Sequence, residues 1–202
     1  MHQWISSHHL HDSSYPHSFL SALPFPHIIL PHFLTQHMFT KLSKALKKES
    51  FTFYNSDLYQ FRQTQSLYTS QNTFIKSFCS FWTSPELLQL IMQITGKKIN
   101  PSPDISGFLY THTDYLLPHD DHVTEEDSTR KIAYIYYLSN FTASDGGQLD
   151  FFDSTTQTVA RSYLPTENSL LLFDVSKSSF HQMREILTPK KRFTITGWFH
   201  GH

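Results

Sequence analysis

The chain has 202 residues, 39% of them hydrophobic and 16% charged, with a formal net charge of −1. That length gives one domain with a core of its own and is too short for two ordinary ones. The near-neutral balance removes any bulk electrostatic pull toward nucleic acid or an anionic membrane, so partners must be recognised locally.

The first 15 residues are polar and His-rich and read as a flexible N-terminal arm; His8, His9 and His11 fit a disordered tail better than a metal site. The opening run MHQWISSHHLHDSSYPHS has neither the basic nor the apolar region of a secretory signal. No stretch reaches the ~18 apolar residues that span a bilayer. A lone cysteine, Cys79, excludes an internal disulfide framework and suits a reducing compartment. The expected location is therefore cytoplasmic. The segment PFPHIILPHFL, bounded by prolines, predicts a strand followed by a turn. Residues 35–48 set Met38, Leu42, Ala45 and Leu46 opposite Lys41, Lys44 and Lys48, which predicts an amphipathic helix with a solvated basic face. Cys79 sits in the apolar run FIKSFCSFW and reads as a buried structural thiol rather than a nucleophile. In TSPELLQLIMQITG, Ser84 can cap a second helix, Pro85 suits its first position, and Gly96 can close it.

From about residue 105 the pattern changes to short aromatic and aliphatic runs between turn signals: FLYTHTDYLL, KIAYIYYL, QLDFF, TVARSYL, SLLLFDV and RFTITGWF. The 18 Phe and 10 Tyr against 6 Gly favour sheets with buried faces. SDGG (144–147), between two of the runs, has hairpin chemistry. Consecutive strands without intervening helices predict an antiparallel sandwich or open barrel, with the N-terminal helices on one outer face.

The densest polar cluster is PHDDH (118–122). On a strand, residues i and i+2 share a face, so either His119 with Asp121 or Asp120 with His122 could converge on one ion. A third pair, His112-x-Asp114, lies just upstream. One His, one carboxylate and a second, distant His make the facial triad of non-heme iron sites, which leaves coordination positions open. After residue 122 the remaining histidines are His181, His200 and His202, and His181 in SSFHQM is the natural candidate. Arg192 follows at the start of an apolar strand, where a fixed guanidinium fork could face inward.

The ordered set HDD, IAYIYYL, DGGQLDFF, SLLLFDVSKSSFHQM and KRFTITGWFHG resembles the Fe(II)- and 2-oxoglutarate-dependent oxygenases of the prolyl-hydroxylase type. Within them it is most similar to the catalytic domain of ribosomal prolyl hydroxylases, chiefly over residues 107–201. The resemblance implies a mainly β fold with flanking α-helices: a double-stranded β-helix, jelly-roll and cupin-like, with its barrel core at about 105–200 in a single domain of residues 16–202. It implies that His119, Asp121 and His181 bind Fe(II), that Arg192 pairs with the distal carboxylate of 2-oxoglutarate, that Tyr137 hydrogen-bonds the same carboxylate, and that Tyr110 lines the pocket. The implied reaction uses O2, supported by ascorbate. It decarboxylates 2-oxoglutarate to succinate and CO2 while hydroxylating a prolyl residue of a protein or peptide, a small-subunit ribosomal protein among the expected targets. Neither nucleic acid nor membrane is an expected partner. The same chemistry on a free amino acid or small metabolite, and a non-catalytic metal-binding barrel, are the alternative readings. The link HVTEEDSTR, acidic at Glu125, Glu126 and Asp127, reads as a solvated loop, with substrate contact as its alternative.

Overall fold

Successive side chains of a strand point to opposite faces, and after residue 105 many strands bury both, so the sheet needs cover on its outside as well as its inside. The computed structural model describes residues 3–10, 12–122 and 129–201. The acidic run Glu125, Glu126 and Asp127 and His11 lie outside the described residues.

Among the described residues four α-helices, α1 (Tyr15–Leu20), α2 (Gln36–Leu46), α3 (Thr73–Trp82) and α4 (Pro85–Thr95), accompany eleven strands. These are β1 (His27–Leu30), β2 (Thr52–Ser56), β3 (Tyr59–Gln63), β4 (Ser106–Tyr110), β5 (Tyr115–His119), β6 (Arg130–Tyr137), β7 (Leu149–Phe152), β8 (Val159–Tyr163), β9 (Ser169–Asp174), β10 (His181–Met183) and β11 (Arg192–His200). The strands form one antiparallel sheet in the order β1-β9-β6-β11-β4-β3-β5-β10-β7-β8, with β2 paired to β3. The sheet curls so that side chains of β6 and β9 pack against β7: Ala133, Tyr137, Leu171 and Phe173 form one cluster with Leu149 and Phe151. This is the double-stranded β-helix expected, with β3 as the strand joining its two walls.

The alternate residues of the same strands, Ile132, Tyr134, Tyr136, Leu170, Leu172, Ile195 and Phe199, join the helices in the larger core. Trp82 of α3 stacks on Phe199 and lies 5.0 Å from the Tyr134 ring. Burying side chains of this size contributes roughly 1.5–3 kcal/mol each, so the helical layer anchors the β6–β11 wall from outside.

Both predicted helices form. Thr35 precedes α2, which buries Leu42, Ala45 and Leu46; the Ser84 side chain accepts from the Leu87 N–H, and Gly96 closes α4 with φ +69°. The run around Cys79 is also a helix, α3, capped by Asn72 through the N–H groups of Phe74 and Ile75. Its aromatic residues have modest helix propensity, and tertiary packing overrides it. Cys79 is buried, which pushes its thiol up to about 11.

Three expectations are corrected. Residues 3–10 do not form a loose arm: Trp4 stacks on Phe81 at 4.8 Å, Ile5 is fully buried, and His9 bonds the Tyr15 hydroxyl and the Pro31 carbonyl. Apolar contact outweighs the polar composition of that segment. SDGG is not a hairpin, because β6 pairs with β9 and β11 whereas β7 pairs with β10 and β8. It is a crossover between walls, with Gly146 at φ +74° and the Gly147 N–H donating to the Glu185 carbonyl. FLYTHTDYLL is two strands, β4 and β5, split by a turn at residues 111–114.

Candidate metal centre and its cavity

His119 ends β5 and His181 opens β10, and the two are direct cross-strand partners. Two residues further along β10, Met183 pairs with Leu116, so three steps on β5 face two on β10. This bulge falls around Pro118, which has no N–H to give a ladder, and it turns Leu116 and His119 toward the same cavity despite their odd spacing.

Asp121 lies just past the strand end and is 9% exposed. Its carboxylate oxygens stand 3.6 Å from His119 Nε2 and 3.7 Å from His181 Nε2. Among the described residues these three are the only His, Cys, Asp or Glu group of three or more whose ligand atoms could hold one ion, all lying within 4.8 Å of one another. The imidazole tautomers follow from their partners. His119 Nδ1 lies 2.8 Å from the Leu117 carbonyl and His181 Nδ1 2.9 Å from the Ser179 carbonyl. A carbonyl only accepts, so each Nδ1 carries the proton and each Nε2 offers a lone pair. Burial pushes the His181 pKa well below its ordinary value against the pull of Asp121, which keeps that ring neutral. Two imidazoles and a carboxylate form an N/O donor set suited to Fe(II).

Strand alternation does not separate the two overlapping pairs as cleanly as expected. β5 stops at His119, and Asp120 also lines the cavity. Its Oδ1 accepts from the His122 N–H at 3.2 Å, and His122 does not reach the cavity.

The cavity has a volume of about 380 Å³, within the range of small-molecule sites. Arg192, Thr194, Thr196 and Trp198 line it from one face of β11. Arg192 is 2% exposed, and its guanidinium lies 5.2 Å from the ring centres of both Tyr110 and Tyr137. Tyr110 lines the cavity, whereas Tyr137 stands behind Arg192. Burial raises both phenol pKa values against the pull of Arg192, so both hydroxyls stay protonated as donors. The Tyr137 hydroxyl, Arg192 Nε and Thr194 Oγ1 are buried polar atoms without a hydrogen-bond partner. Such atoms cost free energy unless a ligand pairs them, and those of Arg192 and Thr194, which line the cavity, suit a carboxylate.

Sequence reasoning did not single out Thr194, Trp198 or Arg130. Alternation from Arg192 along β11 would have found the first two, since positions i+2 and i+6 share its face. Arg130 packs its guanidinium 3.7 Å from the Trp198 ring centre, and its Nη1 donates to the Asp121 carbonyl at 3.3 Å. It thus braces the backbone of one cluster member while lining the cavity.

Among described residues no helix is long and apolar enough to cross a membrane. A family model described as the 2OG-Fe(II) oxygenase superfamily matches residues 105–200. The chain is 36% identical over 189 residues to prolyl 3-hydroxylase OGFOD1 of Xenopus laevis, which covers 90% of this chain and 36% of that protein. It thus spans roughly a third of the length of the curated relatives it matches. Among solved structures it is similar to a prolyl-4-hydroxylase of Pseudomonas putida, with TM-score 0.74 and 18% identity over 93% of this chain and 99% of that one. It is also similar to a prolyl hydroxylase of Trichoplax adhaerens in complex with a hypoxia inducible factor peptide fragment, with TM-score 0.73 and 17% identity over 93% and 88%. At these identities the structural likeness speaks for the fold.

Proposed function

We propose that the chain is a 2OG-Fe(II) oxygenase, the superfamily whose model matches residues 105–200, and that it hydroxylates a prolyl residue of a protein substrate, with a small-subunit ribosomal protein as the target class. The observation that carries this reading is one cavity lined both by the His119, Asp121 and His181 cluster and by Arg192 and Thr194, each of the latter with a buried, unpaired polar atom. His119 Nε2, Asp121 and His181 Nε2 would hold Fe(II). Arg192, with Thr194, would hold the distal carboxylate of 2-oxoglutarate, where each hydrogen bond to the charged group contributes roughly 1.5–3 kcal/mol, and Tyr137, expected to bond that carboxylate itself, would instead back the Arg192 guanidinium. When bound, Fe(II), 2-oxoglutarate and O2 supply the oxidation, in which 2-oxoglutarate becomes succinate and CO2 and one oxygen atom enters a substrate C–H bond.

The protein's own contribution is orientation and dryness. The Leu117 and Ser179 carbonyls hold both imidazoles with Nε2 toward the cluster. Leu149, Phe173 and Met183 line the cavity with apolar surface that keeps water out. The Trp198 ring, packed against Arg130, offers a flat apolar face at the cavity that suits a prolyl ring. The relative from Xenopus laevis is named a prolyl 3-hydroxylase, which supports a prolyl substrate. The reading treats the chain as a single oxygenase domain acting in the cytoplasm, with ascorbate as the supporting reductant.

The test is succinate release by the purified protein given Fe(II), ascorbate and 2-oxoglutarate, with and without a pool of small-subunit ribosomal proteins from cells lacking the gene. Stimulation by the pool is expected. Background release in both conditions, matched by a His181→Ala control, would contradict the reading.

A further inference from the structure

The pair His112-x-Asp114 has no part in the metal cluster, yet Asp114 is fully buried. Its carboxylate accepts four hydrogen bonds: from Gln60 Nε2 at 2.8 Å, Arg62 Nη1 at 2.9 Å, the Thr111 N–H at 2.6 Å and the Thr111 hydroxyl at 3.0 Å. Arg62 keeps its guanidinium in place by lying 4.8 Å from the Phe53 ring centre on β2. A buried ion pair is weak evidence for stability, since desolvation can cancel the attraction. Its return here is geometric, because directional donors from β3 and from the turn before β5 meet on one carboxylate.

The place where they meet matters for the cavity. β3 pairs with β5 at Tyr59 and Gln60 and with β4 at Arg62 and Gln63, so it changes partner at Phe61, beside the turn at residues 111–114. Alternation divides β3 in two. Tyr59, Phe61 and Gln63 line the cavity, while Gln60 and Arg62 point to the other face and bond Asp114. We infer that Asp114 is a positioning residue for the substrate side of the cavity: by holding Gln60 and Arg62 it fixes β3, and with it the Tyr59 and Phe61 rings that border the bound protein segment. The inference rests on the reading of the cavity as a prolyl-hydroxylation site. It predicts a specificity effect separate from metal and 2-oxoglutarate binding, because Asp114 touches neither the cluster nor Arg192.

The test compares Asp114→Asn and Gln60→Ala with the wild type; Gln60→Ala keeps the Asp114–Arg62 pair and serves where Asp114→Asn does not fold. With the ribosomal protein pool as substrate, the concentration for half-maximal stimulation of succinate release should rise roughly tenfold. Release without the pool and Mn(II) binding should stay within about twofold of wild type. An unchanged half-maximal concentration would overturn the inference, as would a parallel fall of all three readouts with the folded fraction. If the pool does not stimulate even the wild type, the substrate reading fails by itself, and hydrogen exchange of residues 59–63 decides the role of Asp114. Faster exchange confined to those amides supports the clamp; exchange equal to wild type overturns it.

Discussion

His119 and His181 face each other across the β5–β10 ladder with ring centres 4.3 Å apart, although they are far apart in sequence. Each Nδ1 is committed to a carbonyl two residues earlier on its own chain segment. Backbone geometry therefore sets the orientation of both rings, with each Nε2 toward Asp121.

Removing one imidazole should empty the centre. His181→Ala is expected to weaken Mn(II) binding by more than about a hundredfold, since even outer partners of metal ligands contribute tenfold to a hundredfold. Paramagnetic resonance of free Mn(II) in a titration measures it. Wild-type affinity in the variant would remove His181 from the centre.

Arg192→Lys replaces a planar fork with a point charge. The apparent KM for 2-oxoglutarate should rise roughly tenfold, the value of one lost charge-assisted bond, with a smaller effect on kcat. Initial rates of succinate release at varied 2-oxoglutarate decide the matter. An unchanged KM would mean that Arg192 does not hold the co-substrate.

Gly197 stands between Thr196 and Trp198 on β11, and a Cβ there would lie 1.9 Å from the Asp104 carbonyl oxygen. Backbone meets backbone at that point, so no side chain can rotate away. Gly197→Ala should cost about 1–3 kcal/mol of stability by overpacking, read from urea unfolding. Stability equal to wild type would show that the Asp104 segment can move aside freely.

Burial lowers the pKa of His9 and of His27 below the ordinary 6.5. The folded value lies under the unfolded one, so between the two the unfolded chain binds more protons and stability rises with pH. Their contribution is complete above about pH 6.5 and is lost as pH falls toward the folded values. Unfolding free energy should thus be lower near pH 5 than near pH 7, and a His9→Gln, His27→Gln double variant should narrow the gap. A gap of equal size in the variant would assign the acid sensitivity to other groups.

Much of the site was legible from residue order. The spacing His119-x-Asp121, the late His181 and the arginine opening an apolar strand all survive as neighbours of one cavity. Pattern alone could not choose between His119-x-Asp121, Asp120-x-His122 and His112-x-Asp114, because the choice rests on where β5 ends and on a bulge around Pro118 that shifts the strand's phase. The burial of Trp4 and Ile5 was hidden for a related reason: two apolar residues in a polar, His-rich segment acquire partners only when α3 folds beside them. Likewise Asp114 looks like a second metal motif in sequence, and its buried contacts with β3 exist only in the folded sheet. Thr194 and Trp198 were within reach, since they share the face of Arg192 on a strand that was itself expected.

The most direct measurement is mass spectrometry of small-subunit ribosomal proteins after incubation with the purified protein, Fe(II), ascorbate, 2-oxoglutarate and isotopically labelled O2. One labelled oxygen atom on a prolyl residue is expected with the wild type and none with His181→Ala. Succinate formation without any labelled proline, or label appearing equally with both proteins, would contradict prolyl hydroxylation as the function of this site.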